Sequence, residues 1–221
     1  KERAQEPLPE GWQSLRAEPA LVVSIGRLTK QKGQWHLIRA FTRVIQQNPA
    51  ARLIILGDGE YRAHLTTLIE HCNLTGVVSL LGKHANVYPF LKVARLFAFT
   101  SLWECMPNTV LEALACGVPI VAADCDSGPR EIIAPALTVD GKIAYPYQAT
   151  YGTLVPPFDA AAQPIWAAPE VVPLLPGEVA LAEAMLQKLR QREENLLHES
   201  DVRFDPQAIK AAWQALTNFR S

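Results

Sequence analysis

The chain has 221 residues, enough for one large α/β domain with a sizeable core or for a domain with a tail. Its 21 lysine and arginine residues nearly balance 22 aspartate and glutamate residues, which leaves a net charge of −1. This balance argues against a protein that binds nucleic acid or an anionic membrane through a strongly basic surface.

The four cysteines, Cys72, Cys105, Cys116 and Cys125, follow no spacing typical of a zinc ribbon or a redox pair. Three of them fall in or near predicted buried elements, so all four are expected to be reduced. No apolar run reaches the length of a membrane span, and the first residues lack the basic and apolar regions of a signal peptide. The sequence therefore predicts a cytoplasmic protein.

The chain begins with residues 1–11, KERAQEPLPEG, which resemble a linker more than the start of a protein. We expect a linker or crossing segment over residues 1–19 and one domain over residues 20–221. An excised domain of a longer protein is the expected origin of such a chain.

The domain is predicted to open with a buried strand, a basic loop and a helix. Residues 20–26 are a β-branched apolar run that ends in glycine, typical of a strand buried on both faces. Arg27 and Lys32 follow at the carboxyl end of this strand, where arginine binds phosphate as a fork and lysine as a point charge. Single loop cations are usually solvated, but two on one rim favour a phosphate site.

Two further strands are predicted at residues 52–56 and 77–82, with a helix between them. Gly57 and Gly59 resemble part of a dinucleotide-binding fingerprint, but the third glycine is absent, so tight-turn chemistry explains them better. Lys83 follows the third strand on the same rim of the sheet as Arg27. A short helix over residues 86–93 precedes a strand over residues 96–100.

The stretch that follows this fourth strand organises the chain. Pro107 fits the first turn of a helix over residues 107–116, and Gly117 fits the position just beyond its end. Free N–H groups and the positive end of the helix dipole then face the crevice at the carboxyl edge of the sheet. A phosphate group is the expected ligand there.

Two acids lie within this stretch, Glu104 on the loop and Glu112 in the second helical turn. A carboxylate is repelled by phosphate, but its oxygens accept hydrogen bonds and suit a pair of hydroxyl groups. Two simpler explanations remain open. Glu112 can be a solvated helix residue near a favourable dipole end, and Glu104 can cap the helix.

A fifth strand over residues 118–123 and a helix beginning near Pro129 continue the alternation of strands and helices. The pattern predicts an α/β fold, a single Rossmann-like doubly wound parallel sheet of about six strands flanked by helices. Four segments are expected in the remainder, namely an edge strand, a long surface excursion and two amphipathic helices, at residues 151–156, 160–177, 178–197 and 207–219.

Several motifs together resemble the retaining glycosyltransferases of family four, which have the GT-B fold. The motifs are SIGRLTKQKG at residues 24–33, ILGDG at 55–59, LG at 81–82, and E-x7-E at 104–112 continuing as ALACGVPIVA to residue 122. The similarity runs from about residue 21 to residue 156, in order and with the family's spacings.

The resemblance implies the C-terminal, donor-nucleotide half of a two-domain enzyme, without the N-terminal acceptor domain. At the matching positions Arg27 and Lys32 bind the donor diphosphate. Glu104 contacts the donor sugar and Glu112 the ribose hydroxyls. Arg27, Lys32 and Glu104 are the expected catalytic residues. The other expected nucleotide-sugar-binding residues are Gly26, Gly82, Lys83, Met106, Pro107, Asn108 and Thr109.

The chain departs from the family pattern in two places. Cys105 and Met106 stand where Gly-Phe commonly follows the first acid, a change that could alter the fit around the sugar. Residues 158–177 form an insertion for which the sequence suggests no role.

The implied reaction is transfer of a hexose or N-acetylhexosamine from a UDP-sugar or GDP-sugar to a glycan or lipid-linked acceptor, without a metal or other cofactor. UDP is expected over GDP because residues 127–131, SGPRE, have the form of family members that transfer these sugars in surface-polysaccharide assembly. The full-length enzyme is expected in the cytoplasm, with peripheral association at the inner membrane face left open. The fragment alone is expected to be inactive.

Two other functions remain open, a nucleotide-binding module without transfer activity and an NAD-dependent oxidoreductase domain. The oxidoreductase is disfavoured because the first strand leads into Gly26-Arg27-Leu28 and not into G-x-G-x-x-G.

Overall fold

The computed structural model of the protein describes residues 6–138 and 141–196, with side chains described as far as residue 191. Strands alternate with helices in these residues, as the sequence predicts. The strands are β1 (Ala20–Ile25), β2 (Ala51–Leu56), β3 (Val78–Gly82), β4 (Leu96–Phe99), β5 (Ile120–Ala123), β6 (Tyr147–Ala149) and β7 (Gly152–Val155). The helices are α1 (Gln34–Gln47), α2 (Arg62–His71), α3 (Tyr88–Val93), α4 (Asn108–Ala115), α5 (Pro129–Ile133) and α6 (Pro176–Leu196).

The described strands form one sheet in the order β3-β2-β1-β4-β5-β7-β6. All neighbours pair in parallel except β6 and β7, so the predicted doubly wound α/β fold is confirmed. The chain moves outward from β1 to β3 and then returns to β4 on the other side of β1. This reversal places a crevice between the loops that follow β1 and β4, where open α/β sheets bind ligands.

The far edge of the sheet differs from the prediction. The strand predicted at residues 151–156 is β7, but it lies inside the sheet between β5 and β6 and is therefore not an edge strand. The actual edge is β6, which the sequence analysis missed. Its three residues are half-buried or exposed, so they form no apolar run that a sequence pattern can detect.

The sheet separates two hydrophobic cores, and β1 contributes to both. Val22 packs in the core on the side of α1, α2 and α6, whereas Leu21 and Val23 pack in the core on the side of α3, α4 and α5. A strand with apolar neighbours on both faces needs an unbroken apolar run, as predicted for β1. In the segment before β1, Leu8 and Leu15 are also buried in the second core.

The segment between β7 and α6 has no regular secondary structure, as predicted, but it is firmly attached to the domain. The buried Arg39 of α1 donates from Nη2 to the carbonyl oxygens of Val172 and Pro173 at 2.8 and 2.9 Å, and from Nη1 to that of Ala167. Phe158 is buried in the first core. The prediction of a surface excursion is therefore wrong for those parts of the segment that these contacts hold against the domain.

Helix α6 confirms the amphipathic helix predicted from residue 178, with its start two residues earlier. The helix predicted over residues 207–219 lies outside the described residues. All four cysteines are free, as expected, and only Cys105 among them is exposed. Burial raises the pKa of the Cys72 and Cys116 thiols to about 11 and that of Cys125 to about 12.

Candidate functional site

The loops after β1 and β4 are tied to each other across the crevice. The Leu102 N–H donates to the carbonyl oxygen of Gln31 at 2.7 Å, and Gln31 Nε2 donates to that of Trp103 at 3.0 Å. Thr100 Oγ1 donates to the carbonyl oxygen of Lys32 at 3.0 Å. These bonds hold residues 26–33 and 100–106 in a fixed relation, so side chains from both loops meet in one place.

Two glycines make this close approach possible. Gly33 has φ +59°, and a Cβ atom there would lie 2.3 Å from the carbonyl oxygen of Thr100. Gly57 has φ +142°, and a Cβ atom would lie 1.9 Å from the carbonyl oxygen of Gly26. Both positions combine a left-handed conformation with backbone contact, which only glycine tolerates. The reason for Gly57 is therefore close packing of two backbone segments as well as the turn.

Lys32 and Glu104 form an ion pair in the crevice. Lys32 Nζ donates to Glu104 Oε1, and Ser101 Oγ donates to the same oxygen at 2.8 Å. The side chains of Lys32 and Glu104 are 18% and 9% exposed, so water screens this pair less than a surface pair. The structure thus brings together two residues that the sequence analysis assigned to different parts of a ligand.

The Glu104 backbone is held by the loop that follows β5. Ser127 Oγ donates to the Glu104 carbonyl oxygen at 2.5 Å, and the Glu104 N–H donates to the carbonyl oxygen of Asp126 at 3.4 Å. Neither Ser101 nor Ser127 was predicted as a site residue from the sequence. Ser101 stands three residues before Glu104 on one loop, a spacing that could have suggested a local contact.

Arg27 lies at the same edge of the sheet as Lys32, but it differs from Lys32 in its exposure and its contacts. Its side chain is exposed, and within residues 6–138 and 141–196 its guanidinium makes no hydrogen bond or ion pair. Its carbonyl oxygen accepts a 2.8 Å hydrogen bond from Nε2 of the buried Gln34, which fixes the backbone. Gly26 lies beside it, covered by the aliphatic part of Lys32.

Helix α4 points its first turn toward the crevice, with Asn108 exposed and Thr109 half-buried. Pro107 is the N-cap residue in an extended conformation, so the helix begins one position later than predicted. Among the described residues, the Glu104 carboxylate accepts hydrogen bonds from Lys32 and Ser101 but from no N–H group at the start of α4, so the explanation of Glu104 as a capping residue is wrong. Gly117 has φ +64° just after the helix, as predicted for its C-terminal end.

Glu112 lies in the second turn of α4 and is half-buried, so it is not a fully solvated helix residue. Burial raises the pKa of its carboxyl group. In the part of the chain that the structure describes, the carboxylate makes no hydrogen bond or ion pair. A half-buried carboxylate without a donor is available to accept hydrogen bonds from a ligand.

Of the remaining predicted site residues, Gly82 and Lys83 lie at the end of β3, two strands away from β1. Lys83 is exposed, and the Gly82 carbonyl oxygen accepts a 2.8 Å hydrogen bond from the Gly57 N–H. Met106 is 49% exposed beside Glu104. Of the eleven predicted residues, Gly82 is the last residue of β3 and Glu112 lies in the second turn of α4. The other nine lie on loops, short turns or helix starts at the carboxyl edge of the sheet.

Arg130, within the segment used to favour UDP, belongs to a partly buried network around the buried Asp124. Its guanidinium donates to both carboxylate oxygens of Asp124, and the Tyr145 hydroxyl donates to the same carboxylate at 2.7 Å. The hydrogen bond to Asp124 is the largest cause of the raised pKa of Arg130. This network fixes the start of α5 and, with it, the loop that holds Glu104.

No group of three or more His, Cys, Asp or Glu side chains among the described residues could hold a metal ion. Over the same residues, no helix is long and apolar enough to cross a lipid bilayer.

Two relatives from comparison with known proteins bear on this site. The chain is 43% identical over 218 residues to an uncharacterized glycosyltransferase of Methanocaldococcus jannaschii, which covers 96% of this chain and 53% of that protein. It is 39% identical over 111 residues to the Campylobacter jejuni enzyme named N-acetylgalactosamine-N,N'-diacetylbacillosaminyl-diphospho-undecaprenol 4-alpha-N-acetylgalactosaminyltransferase, covering 50% of this chain and 30% of that protein. The chain spans about half or less of the length of these relatives.

Among solved structures, the pneumococcal O-GlcNAc transferase in complex with UDP and GlcNAc superposes with a TM-score of 0.60. The match is 18% identical and covers 92% of this chain and 35% of that one, which shows a shared GT-B fold. The family model for glycosyl transferases group 1 matches residues 12–151. More than half of the chain lies within that match, and the chain therefore belongs to the glycosyl transferases group 1 family.

Proposed function

We propose that this chain is the donor-binding half of a retaining glycosyltransferase that uses a nucleotide-diphosphate sugar, with UDP preferred over GDP. The observation that carries the proposal is the convergence of Arg27, Lys32 and Glu104 at the crevice between β1 and β4. An exposed arginine and a lysine suit a diphosphate, and a carboxylate beside them suits sugar hydroxyls.

Several of the predicted residues receive specific roles in this proposal. Arg27 binds the diphosphate from the rim, and the free N–H groups of Asn108 and Thr109 at the start of α4 add donors to it. Glu112 accepts hydrogen bonds from the ribose hydroxyls. Lys83, at the end of β3, lines the position of the base.

The proposed chemistry is electrostatic. When the bond between the sugar and the diphosphate breaks, negative charge grows on the leaving phosphate oxygens, and Arg27 and Lys32 stabilise it without a metal. Glu104 is paired with Lys32, so it is poorly placed to act as a nucleophile. A same-face displacement, in which a phosphate oxygen helps to deprotonate the acceptor hydroxyl, fits a retaining reaction at this site.

The acceptor site belongs to the rest of the enzyme in this proposal. The chain corresponds to 53% of its relative from M. jannaschii, and a second Rossmann-like domain does not fit in its 221 residues. An N-terminal domain would bind the glycan or lipid-linked acceptor, so this chain alone should bind donor and transfer nothing. A hexose or N-acetylhexosamine in polysaccharide or glycoconjugate biosynthesis is the proposed cargo, in the cytoplasm and, for lipid-linked acceptors, at the inner membrane face.

Titration of the chain with UDP, GDP and NAD by calorimetry tests this function. We expect binding of UDP, weaker binding of GDP and no binding of NAD. Binding of NAD alone would support the oxidoreductase, and tight UDP binding without transfer by the full-length protein would support a binding module.

A further inference from the structure

Glu104 does more in this structure than present a carboxylate to a sugar, because it is already engaged with Lys32. We propose that Glu104 makes the site selective for a nucleotide-diphosphate sugar over the free nucleoside diphosphate. This inference rests on the proposed function, since it concerns the same crevice. It assigns to the Lys32–Glu104 pair the task of weakening the binding of the product nucleotide.

The two oxygens of Glu104 are in different states. Oε1 accepts hydrogen bonds from both Lys32 Nζ and Ser101 Oγ. Oε2 has no hydrogen-bond partner among the described residues. An ionised carboxylate can accept about four hydrogen bonds, so Oε2 keeps capacity for a hydroxyl donor from a ligand while Oε1 holds the lysine.

Glu104 cannot easily turn away from Lys32. Its side chain is only 9% exposed, and Ser101, which donates to it, is buried. Its backbone is bonded on both sides to the loop that contains Asp126 and Ser127. The carboxylate therefore remains in place when a ligand enters the crevice.

A free nucleoside diphosphate has no sugar hydroxyl that could donate a hydrogen bond to this fixed carboxylate. Its phosphate groups compete with Glu104 for Lys32, and they are repelled by the carboxylate across a short distance in a poorly screened site. Of the two cations, only Arg27 is then fully available to the diphosphate. Glu104 therefore opposes binding of UDP.

A nucleotide-diphosphate sugar offsets this unfavourable contribution of Glu104 to the binding free energy. A sugar hydroxyl can donate to Glu104 Oε2, and hydrogen bonds to a charged acceptor are stronger than neutral ones. The free nucleotide has no group at this place. The donor is thus favoured over the product, and release of the product after transfer is favoured as well.

The test compares the parent chain with Glu104→Gln by calorimetry, using UDP, UDP-glucose and UDP-N-acetylglucosamine as probes. Removal of the charge should strengthen UDP binding by roughly threefold to tenfold, because Lys32 is released and the repulsion disappears. The parent should bind at least one of the two UDP-sugars more tightly than it binds UDP, and the variant should lose this preference over UDP. Melting temperatures check that the variants remain folded.

Two matched variants separate the pair from a general charge effect. Asp126→Asn removes an exposed negative charge from the adjoining loop without touching Lys32, so it should change UDP affinity far less than Glu104→Gln. In a Lys32→Met background, Glu104→Gln should give a smaller gain, because no lysine remains to be released.

Unchanged or weaker UDP binding by Glu104→Gln overturns the inference, as does an equal gain from Asp126→Asn or from the Lys32→Met background. A parent chain that binds UDP as tightly as both UDP-sugars also overturns it. Failure of the parent to bind UDP at all is a different result, since it overturns the proposed function itself.

Discussion

Two clusters of acidic and basic side chains in this domain differ in how completely their carboxylates are hydrogen-bonded. At the contact of α1 with α6, Glu178 accepts hydrogen bonds from His36 Nδ1 at 2.8 Å, from Arg39 Nε at 3.0 Å and from the Leu175 N–H at 2.9 Å. In the crevice, Glu104 accepts from Lys32 and Ser101 at one oxygen only.

Burial differs in the same sense. The side chains of Arg39 and Glu178 are both 0% exposed, whereas those of Lys32 and Glu104 are 18% and 9% exposed. A buried charge is stable only when it is paired and its hydrogen bonds are complete. The closed cluster therefore holds the segment before α6 in place, and the partly open pair keeps the capacity to bind a ligand.

The largest effect should come from breaking the closed cluster. Arg39→Ala removes the donors to the carbonyl oxygens of residues 167, 172 and 173 and leaves Glu178 with an uncompensated charge. Removing one partner of a buried pair costs about 3–5 kcal/mol of unfolding free energy. Urea denaturation measures this loss, and a change below 1 kcal/mol would show that the cluster does not hold the segment.

Acid should weaken the same cluster. Burial by itself would raise the pKa of Glu178, but the hydrogen bonds from His36, Arg39 and the Leu175 N–H outweigh it and lower the pKa. A lowered folded-state pKa contributes stability that is present above the unfolded value, about 4.3, and is lost as the pH falls through the lower folded value. Denaturation midpoints from pH 6 downward should therefore decline less in Glu178→Gln than in the parent.

In the crevice, the variant Arg27→Ala tests whether this exposed arginine binds the diphosphate. A charge-assisted contact to phosphate is worth roughly 1.5–3 kcal/mol, so UDP should bind about tenfold or more weakly, while stability stays unchanged because Arg27 supports no described contact through its side chain. Calorimetry with UDP and with uridine measures the effect, and uridine should bind both proteins alike. Arg16→Ala is a matched control, since Arg16 is an exposed arginine before β1, at the opposite edge of the sheet. Equal UDP affinities of the parent and Arg27→Ala would remove Arg27 from the diphosphate site.

Glu112 should show opposite effects on stability and on binding. Because burial raises the pKa of Glu112, the charged form costs stability above the unfolded value, and Glu112→Gln should stabilise the ligand-free domain at neutral pH. Its amide accepts at one oxygen only, so affinity for UDP and for a UDP-sugar should fall alike, by roughly twofold to tenfold. Melting temperature and calorimetry measure the two effects. A loss of both stability and affinity would instead assign Glu112 to the fold.

The crevice could be placed from the sequence because parallel strands end at one edge. The apolar runs of β1 and β4 located that edge, and Arg27, Lys32 and Glu104 follow directly after those strands. The pairing of Lys32 with Glu104 could not be predicted, since 72 positions separate them and sequence spacing does not show which side chains face each other. Ser101, only three residues before Glu104, was missed for a different reason, because one serine on a loop is usually solvated.

The attachment of the segment before α6 to Arg39 could not be predicted from the sequence either. Arg39 occupies a helix whose apolar pattern predicts packing, and a single arginine in such a pattern is usually exposed. Its partners lie 128 to 139 positions away, on a segment without periodicity. Only the folded chain shows that the polar groups of this segment converge on one side chain.

The smallest effect should come from the ion pair of Arg43 with Glu183, which joins α1 to α6 as the pair of Arg39 with Glu178 does. Arg43 Nε donates to Glu183 Oε1 at 2.6 Å, one turn along α1 from Arg39, but the two side chains are 40% and 42% exposed. Exposed pairs contribute about 0.2–1 kcal/mol because water and salt screen them and two long side chains lose freedom. A double-mutant cycle of Arg43→Ala and Glu183→Ala should give a coupling in that range that declines further in high salt. Since Arg39 and Arg43 share helix, partner helix and charge, a coupling as large as the loss expected for Arg39→Ala would show that burial is not what distinguishes them.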